Sequence, residues 1–363
     1  MFDLTHLEPI GPDVNSGLPS LARLSDDRLM IAYSTWNKSP QTKSDTADPI
    51  GKPMSVSAIY SNDHGRTWTP PQTLISSPSE LDYDPNITVI GDIVVVTSTT
   101  TPLTHTKYMT TSRTVAVRSE DSGRSWSSPF EIDMGHRFTC GKINNGIVLP
   151  DGRAMFGFSW DVLLEKQQRL GAEGLMDIRV SVMTSRDLGK TWQPGSDIEI
   201  DARKDEDAVY AINGVDEPAL VLCDDNSIYM LCRTGLDRLY ETRSHDLGRT
   251  WSNPAPSPLI SFNAPASLSR FVAPDGQRGI LVTWCNSSKN RWPLCAAVSF
   301  DDARTWSKPR ILAQHPGHQS SYPGCIQAAD GALIAVWQQD QADTPRKLQV
   351  ARFNLDWIQD EAK

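Results

Sequence analysis

The octapeptide SNDHGRTW, Ser61–Trp68, returns as SEDSGRSW at Ser119–Trp126, SRDLGKTW at Ser185–Trp192 and SHDLGRTW at Ser244–Trp251. A fifth, altered copy is SFDDARTW, Ser299–Trp306. The starts are 58, 66, 59 and 55 residues apart, and self-similarity at such a period marks a repeat architecture. The first three copies follow the alternating stretches MSVSAIYS, RTVAVRS and IRVSVMTS, which read as strands. The octapeptide itself has turn chemistry. Its Asp can accept backbone N–H groups, its Gly takes a positive φ that other residues resist, and its Trp packs back over the turn. Ala303 stands where the fifth copy should carry Gly, so a slightly altered turn is expected there.

A second repeat surrounds the first. Six stretches have the form strand, polar turn, strand: Leu18–Trp36, Asp84–Ser98, Asn145–Trp160, Glu217–Arg233, Ala264–Trp284 and Tyr322–Trp337. Six inner hairpins, each followed by outer strands, predict an all-β fold: a six-bladed β-propeller of four-stranded antiparallel blades, one domain over residues 1–363. The last outer strand is expected in LQVARFNLDW, Leu348–Trp357, with the residues before Leu18 completing that blade. Val162–Leu175 reads as a short inserted helix.

Composition agrees with many short strands. Gly and Pro number 23 and 25, and there are 11 Trp. With 35 Lys+Arg against 44 Asp+Glu the net charge is −9, and no basic block is present to meet a phosphate backbone, which argues against a nucleic-acid partner. No apolar run approaches the ~20 residues that cross a bilayer. MFDLTHLEPIGPD has neither a basic nor an apolar signal region. The expectation is a cytoplasmic chain, or a secreted one if its N-terminus is already processed. The six cysteines show no C-x-x-C pair and no zinc-finger spacing, so reduced, buried thiols, no metal and no cofactor are expected. Oligomeric state is not legible.

Antiparallel pairing places the start and the end of each hairpin at one end of the sheet. Around a common axis the starts Leu18, Asp84, Asn145, Glu217, Ala264 and Tyr322 therefore share a face with the ends Trp36, Ser98, Trp160, Arg233, Trp284 and Trp337. Carboxylates beside indoles suit a sugar, whose C–H faces stack on aromatics while its hydroxyls are hydrogen-bonded. The competing account of the four Trp is packing between blades. For Glu217 and Arg233 it is a structural ion pair.

The octapeptides are Asp-boxes, or BNR repeats, and over essentially its whole length the chain resembles the sialidase-like propeller superfamily. The resemblance implies a glycosidase acting on an acidic sugar by a retaining mechanism. Those enzymes use three arginines to grip a carboxylate, an Asp as acid/base, and a Tyr–Glu pair as nucleophile, since a neutral phenol is not repelled by the substrate's charge. YPGCIQAADGALIAVW resembles the nucleophile strand, which makes Tyr322 the nucleophile; EPALVL makes Glu217 its partner. LCRT gives Arg233 as one gripping arginine and RWPLCAAVS gives Arg291 as another. The acid/base falls on Asp45 or Asp48, in KSDTADPIGKPMSVSAIYS. Asp84, Trp36, Trp160, Trp284 and Trp337 are the further substrate-binding candidates. Two positions depart from the pattern. Gly17 occupies the place of the first arginine, and Gln338 falls at or near the Glu that steadies it. Two other functions stay open: a lyase or hydrolase on uronate- or rhamnose-containing glycans, using Tyr, Arg and one of His105, His136, His315 or His318, and a non-catalytic glycan-binding propeller.

Overall fold

The computed structural model describes residues 1–7, 14–37, 53–103, 111–141, 144–165, 175–200, 211–340 and 344–360. Its strands form a β-propeller of antiparallel meanders. Hydrogen bonding divides them into five sheets rather than six separate blades. The six hairpin units are all present, but the first two share one eight-stranded sheet, because Met54 pairs in parallel with Leu81 where one unit passes into the next. The third unit has six strands. Its inner edge is split into Thr139–Cys140 and Ile147–Val148, and Ala211–Gly214 adds in parallel to Leu175–Ser185. Units four, five and six are four-stranded. The sixth is completed by the N-terminus, Phe2–His6 pairing with Lys347–Phe353, as the sequence leads one to expect. That strand ends at Phe353; Leu355–Gln359 is a helix capped by the Asn354 side chain. Of the expected Val162–Leu175 helix, Val162–Glu165 is helical and residues 166–174 lie outside the described residues.

Alternation along the strands explains the core. Successive side chains point to opposite faces of a strand, and here both faces are covered by neighbouring units. Ile280 and Val282 therefore pack against unit four, with Leu231 and Tyr229, while Leu281 packs against unit six, with Cys325 and Leu333. Six such apolar seams, one between each neighbouring pair of units, close the ring.

The Asp-boxes turn the outer strands as their chemistry suggests. In the first, Ser61 Oγ donates to Asp63 at 2.9 Å and accepts the Gly65 N–H at 2.8 Å; Asp63 then accepts from the Thr67 N–H and hydroxyl at 2.8 and 2.6 Å. The fifth box keeps this turn. Ala303 adopts φ 62° and its N–H bonds Ser299 Oγ at 2.9 Å, so Ala carries the strained backbone in place of a changed turn.

Candidate active site

Four of the hairpins begin with the same backbone device. Leu18, Asp84, Glu217 and Tyr322 have φ of 53°, 54°, 44° and 54°, and each is followed by Pro. At each the register of the inner pair shifts, between Gly17/Ser20, Tyr83/Asn86, Asp216/Ala219 and Ser321/Gly324. A left-handed backbone at a non-glycine residue costs on the order of 1–3 kcal/mol, and a residue before Pro is steered toward extended conformations. Bulges re-aim side chains. Here the same strained bulge, repeated around the ring, presents Asp84, Glu217 and Tyr322 at one end.

Around them the polar groups are tied together. Arg233 Nη1 donates to Glu217 Oε2 at 2.7 Å and lies 3.8 Å from Asp216 Oδ2, while its Nε donates to Asn263 Oδ1 at 2.7 Å. Arg291 Nη2 donates to the Asn263 carbonyl at 2.6 Å, and its guanidinium sits 5.4 Å from the centre of the Tyr322 ring. The Gly141 N–H donates to Asp84 at 3.2 Å. Glu217 and Arg233 are buried and Tyr322 is half-buried. Burial raises the Glu217 carboxyl above the ordinary carboxylate range, with the Arg233 charge opposing that rise. Burial, and then the Glu217 charge, push the Tyr322 phenol up. Its field also reaches Arg291, Arg233 and Asp84. Both shifts favour the protonated forms: the phenol is a weaker acid and the carboxyl a stronger base than in water.

Five expected residues, Tyr322, Glu217, Arg233, Arg291 and Asp84, are therefore brought together. The tryptophans divide. Trp284 and Trp337 are 1% and 0% exposed, lie inside the seams, and donate their indole N–H to the Ile260 carbonyl and to Gln339. They are packing residues, not the sugar platforms expected, because both ring faces are covered by neighbouring units. Trp36 is buried beneath the Arg346 guanidinium. Trp160 is partly exposed, stacked on His136 at 4.0 Å, with its N–H bonded to Asp197 at 3.0 Å. Asn145 points into the channel, accepting from Ser20 at 2.5 Å and donating to the Leu21 carbonyl. Ala264 is buried, and its neighbour Asn263, φ 44°, serves the site in its place. His315 and His318 share a turn ahead of Ser320. Asp45, Asp48 and His105 lie outside the described residues.

Sequence reasoning missed Asp216 and Asn263. The available signal was the residue preceding each start: Asp216 before Glu217-Pro218, and Asn263 before Ala264-Pro265. Among the described residues, Cys223, Asp225 and Asp302 are close enough to share a metal ion. They lie at the opposite, turn end of the hairpins, Cys223 and Asp225 in unit four and Asp302 in the Asp-box of unit five, where Asp225 is bonded by Ser227 and Arg304.

The family model of the BNR repeat-like domain matches residues 87–335, and that of the BNR/Asp-box repeat matches residues 59–70. The chain belongs to the BNR repeat-like domain family. This BNR-repeat chain is 21% identical over 323 residues to a sialidase of Paraclostridium sordellii, covering 86% of itself and 63% of that protein. With a sialidase of Bacteroides fragilis it shares 24% identity over 238 residues, 62% of itself and 39% of the relative. It thus spans less than two thirds of the length of either. Among solved structures, the Hadza microbial sialidase Hz136 superposes with a TM-score of 0.74 at 17% identity, over 95% of this chain and 66% of that one. At such identity the likeness carries the propeller fold.

Proposed function

We propose that this BNR-repeat protein is a retaining glycoside hydrolase of the sialidase type, acting on an acidic sugar. The observation that carries this reading is the half-buried Tyr322, held at the channel end in the joint field of Glu217, Arg233 and Arg291. In the first step the Tyr322 oxygen bonds to the anomeric carbon as the glycosidic C–O bond breaks, and the phenol proton passes to Glu217. The leaving oxygen takes a proton from an acid, for which Asp45 and Asp48 are the candidates. Water then displaces the sugar from Tyr322, giving one proton to the ionised acid/base Asp, while Glu217 returns the phenol proton to the departing Tyr322 oxygen. Arg233 and Arg291 hold the substrate carboxylate, and Trp160 offers a partly exposed indole on unit three. Relatives named sialidases support the reaction class.

A uronate-directed lyase is the second reading, favoured by His136, which stands against Trp160 on the same end of unit three. The test is a panel of aryl sialosides and aryl uronides, followed both for released phenol and for the absorbance of an unsaturated product. Release of phenol from a sialoside supports the hydrolase; an unsaturated uronate supports the lyase; inertness with retained sugar binding supports a non-catalytic lectin-like propeller.

A further inference from the structure

Gly17 has no side chain where the first hairpin reaches the site, yet the space beside it is filled. A Cβ built on Gly17 would lie 2.7 Å from Gln338 Oε1, 3.1 Å from the Trp36 ring and 3.3 Å from Arg346 Cδ. Arg346 comes from the connection between Leu333–Gln339 and Lys347–Phe353, at the same end as Tyr322, because Gln339 pairs with both Lys347 and Ser320. Its backbone is fastened to the first unit. The Arg346 N–H bonds Asn15 Oδ1 at 2.8 Å, and its carbonyl accepts the Ser16 N–H at 2.9 Å.

The guanidinium is equally constrained. It lies over the Trp36 ring, 5.5 Å from its centre, and its Nε and Nη2 bond the two oxygens of Asp340, the latter at 3.2 Å. Among the described residues its Nη1 makes no hydrogen bond, and a quarter of the side chain, 24%, is exposed. Gln338 connects this group to the nucleophile: it accepts the Leu18 N–H at 3.1 Å and donates to Ser321 Oγ, next to Tyr322, at 3.4 Å. A planar fork fixed by stacking and by one carboxylate, with a free edge left over, has already given up its rotamer freedom. Such a group is suited to a second, bidentate-type anion contact.

We propose that Arg346 is a specificity-determining residue of this site, whose free edge holds the carboxylate of the bound acidic sugar together with Arg233 and Arg291. This rests on the reading given under Proposed function. Asp340 is its positioning residue. The cation missing at Gly17 is thus supplied from the sixth unit.

The test titrates 2-deoxy-2,3-didehydro-N-acetylneuraminic acid and its methyl ester by calorimetry against the unaltered chain and its variants. The unaltered chain is expected to prefer the acid. Arg346→Gln should weaken the acid roughly 10- to 100-fold, the scale of one charged hydrogen bond, and leave the ester unchanged. Arg346→Lys, which keeps charge and packing but loses the fork, should fall between. Gly17→Arg with Gln338→Glu should restore the preference in the Arg346→Gln chain and add nothing while Arg346 is present. If Arg346→Gln keeps the acid-to-ester ratio while Arg233→Lys lowers it, Arg346 is a structural ion-pair residue and this inference is overturned, with the hydrolase reading intact. If the unaltered chain shows no preference for the acid, both fall.

Discussion

Leu188 is half exposed with φ 60°, the left-handed conformation that costs an ordinary residue most and Asn or Gly least. The same position in the other boxes is held by His64, Ser122, Leu247 and Asp302, all left-handed. Leu188→Asn should therefore stabilise the protein by several tenths to about 1 kcal/mol, read as a raised urea midpoint, since no packed side chain is lost. At the site the corresponding strain is not relieved: Glu217 and Tyr322 keep it before a Pro, which is what aims them inward. Arg233→Lys tests what that aim achieves. A lysine keeps the charge but cannot serve Glu217 and Asn263 together, so KM for an acidic glycoside should rise more than kcat falls. An equal fall in kcat with unchanged KM would place Arg233 in the chemistry instead of in binding. Tyr322, Glu217 and Arg233 were legible in the sequence because hairpin starts and ends share an edge. The fate of Trp284 and Trp337 was not, since a strand end shows its period but not which face a neighbouring unit will cover. Arg346 was hidden for a different reason: it fills a gap left by a residue distant in the chain.

At the level of elements, each Asp-box is latched to the preceding unit by an arginine. The carbonyl of the residue after the box Asp accepts from Arg352 at His64, Arg28 at Ser122, Arg118 at Leu188, Arg153 at Leu247 and Arg243 at Asp302. These latches were illegible in sequence. Arg28 and Arg153 stand on inner hairpin turns whereas Arg118, Arg243 and Arg352 stand on third strands, so no fixed spacing links an arginine to its box. The octapeptides were legible because their bonds are local, Ser to Gly and Asp to Thr within one turn. Arg153 is buried, so Arg153→Ala should cost about 1–3 kcal/mol by leaving the Leu247 carbonyl without its donor and Asp151 with only the backbone N–H of residue 153. Asp187→Ala should cost roughly 1–2 kcal/mol by the same scale. Urea denaturation measures both. Neither residue lies at the channel end, so turnover per folded molecule should be unchanged, and a selective loss of activity in a folded variant would tie these turns to the site.

For the whole molecule, the boxes make stability depend on acid. Asp246 is held down to about 2, first by the Thr250 hydroxyl and N–H and then by Ser244 and Arg249. Against the opposing effect of burial, the equivalent bonds hold Asp63 and Asp187 at about 2. Their folded values lie below the ordinary 3.8, so the unfolded chain binds more protons in this range and stability falls with falling pH. The contribution should be complete above about pH 4 and lost as pH drops through about 2. Urea midpoints measured across that range should show the fall, and Asp187→Ala should make it shallower. Closure of the ring by the N-terminal strand and six seams is what brings Tyr322 of the last unit beside Glu217 and Arg233 of the fourth, and Arg346 beside Gly17 of the first. The central claim, a double displacement through Tyr322 at that closed end, is tested most directly by proton NMR of the first product formed from an acidic aryl glycoside. Two displacements predict a free sugar with the anomeric configuration of the substrate, appearing before mutarotation. A first product of inverted configuration, or an unsaturated sugar, would contradict it.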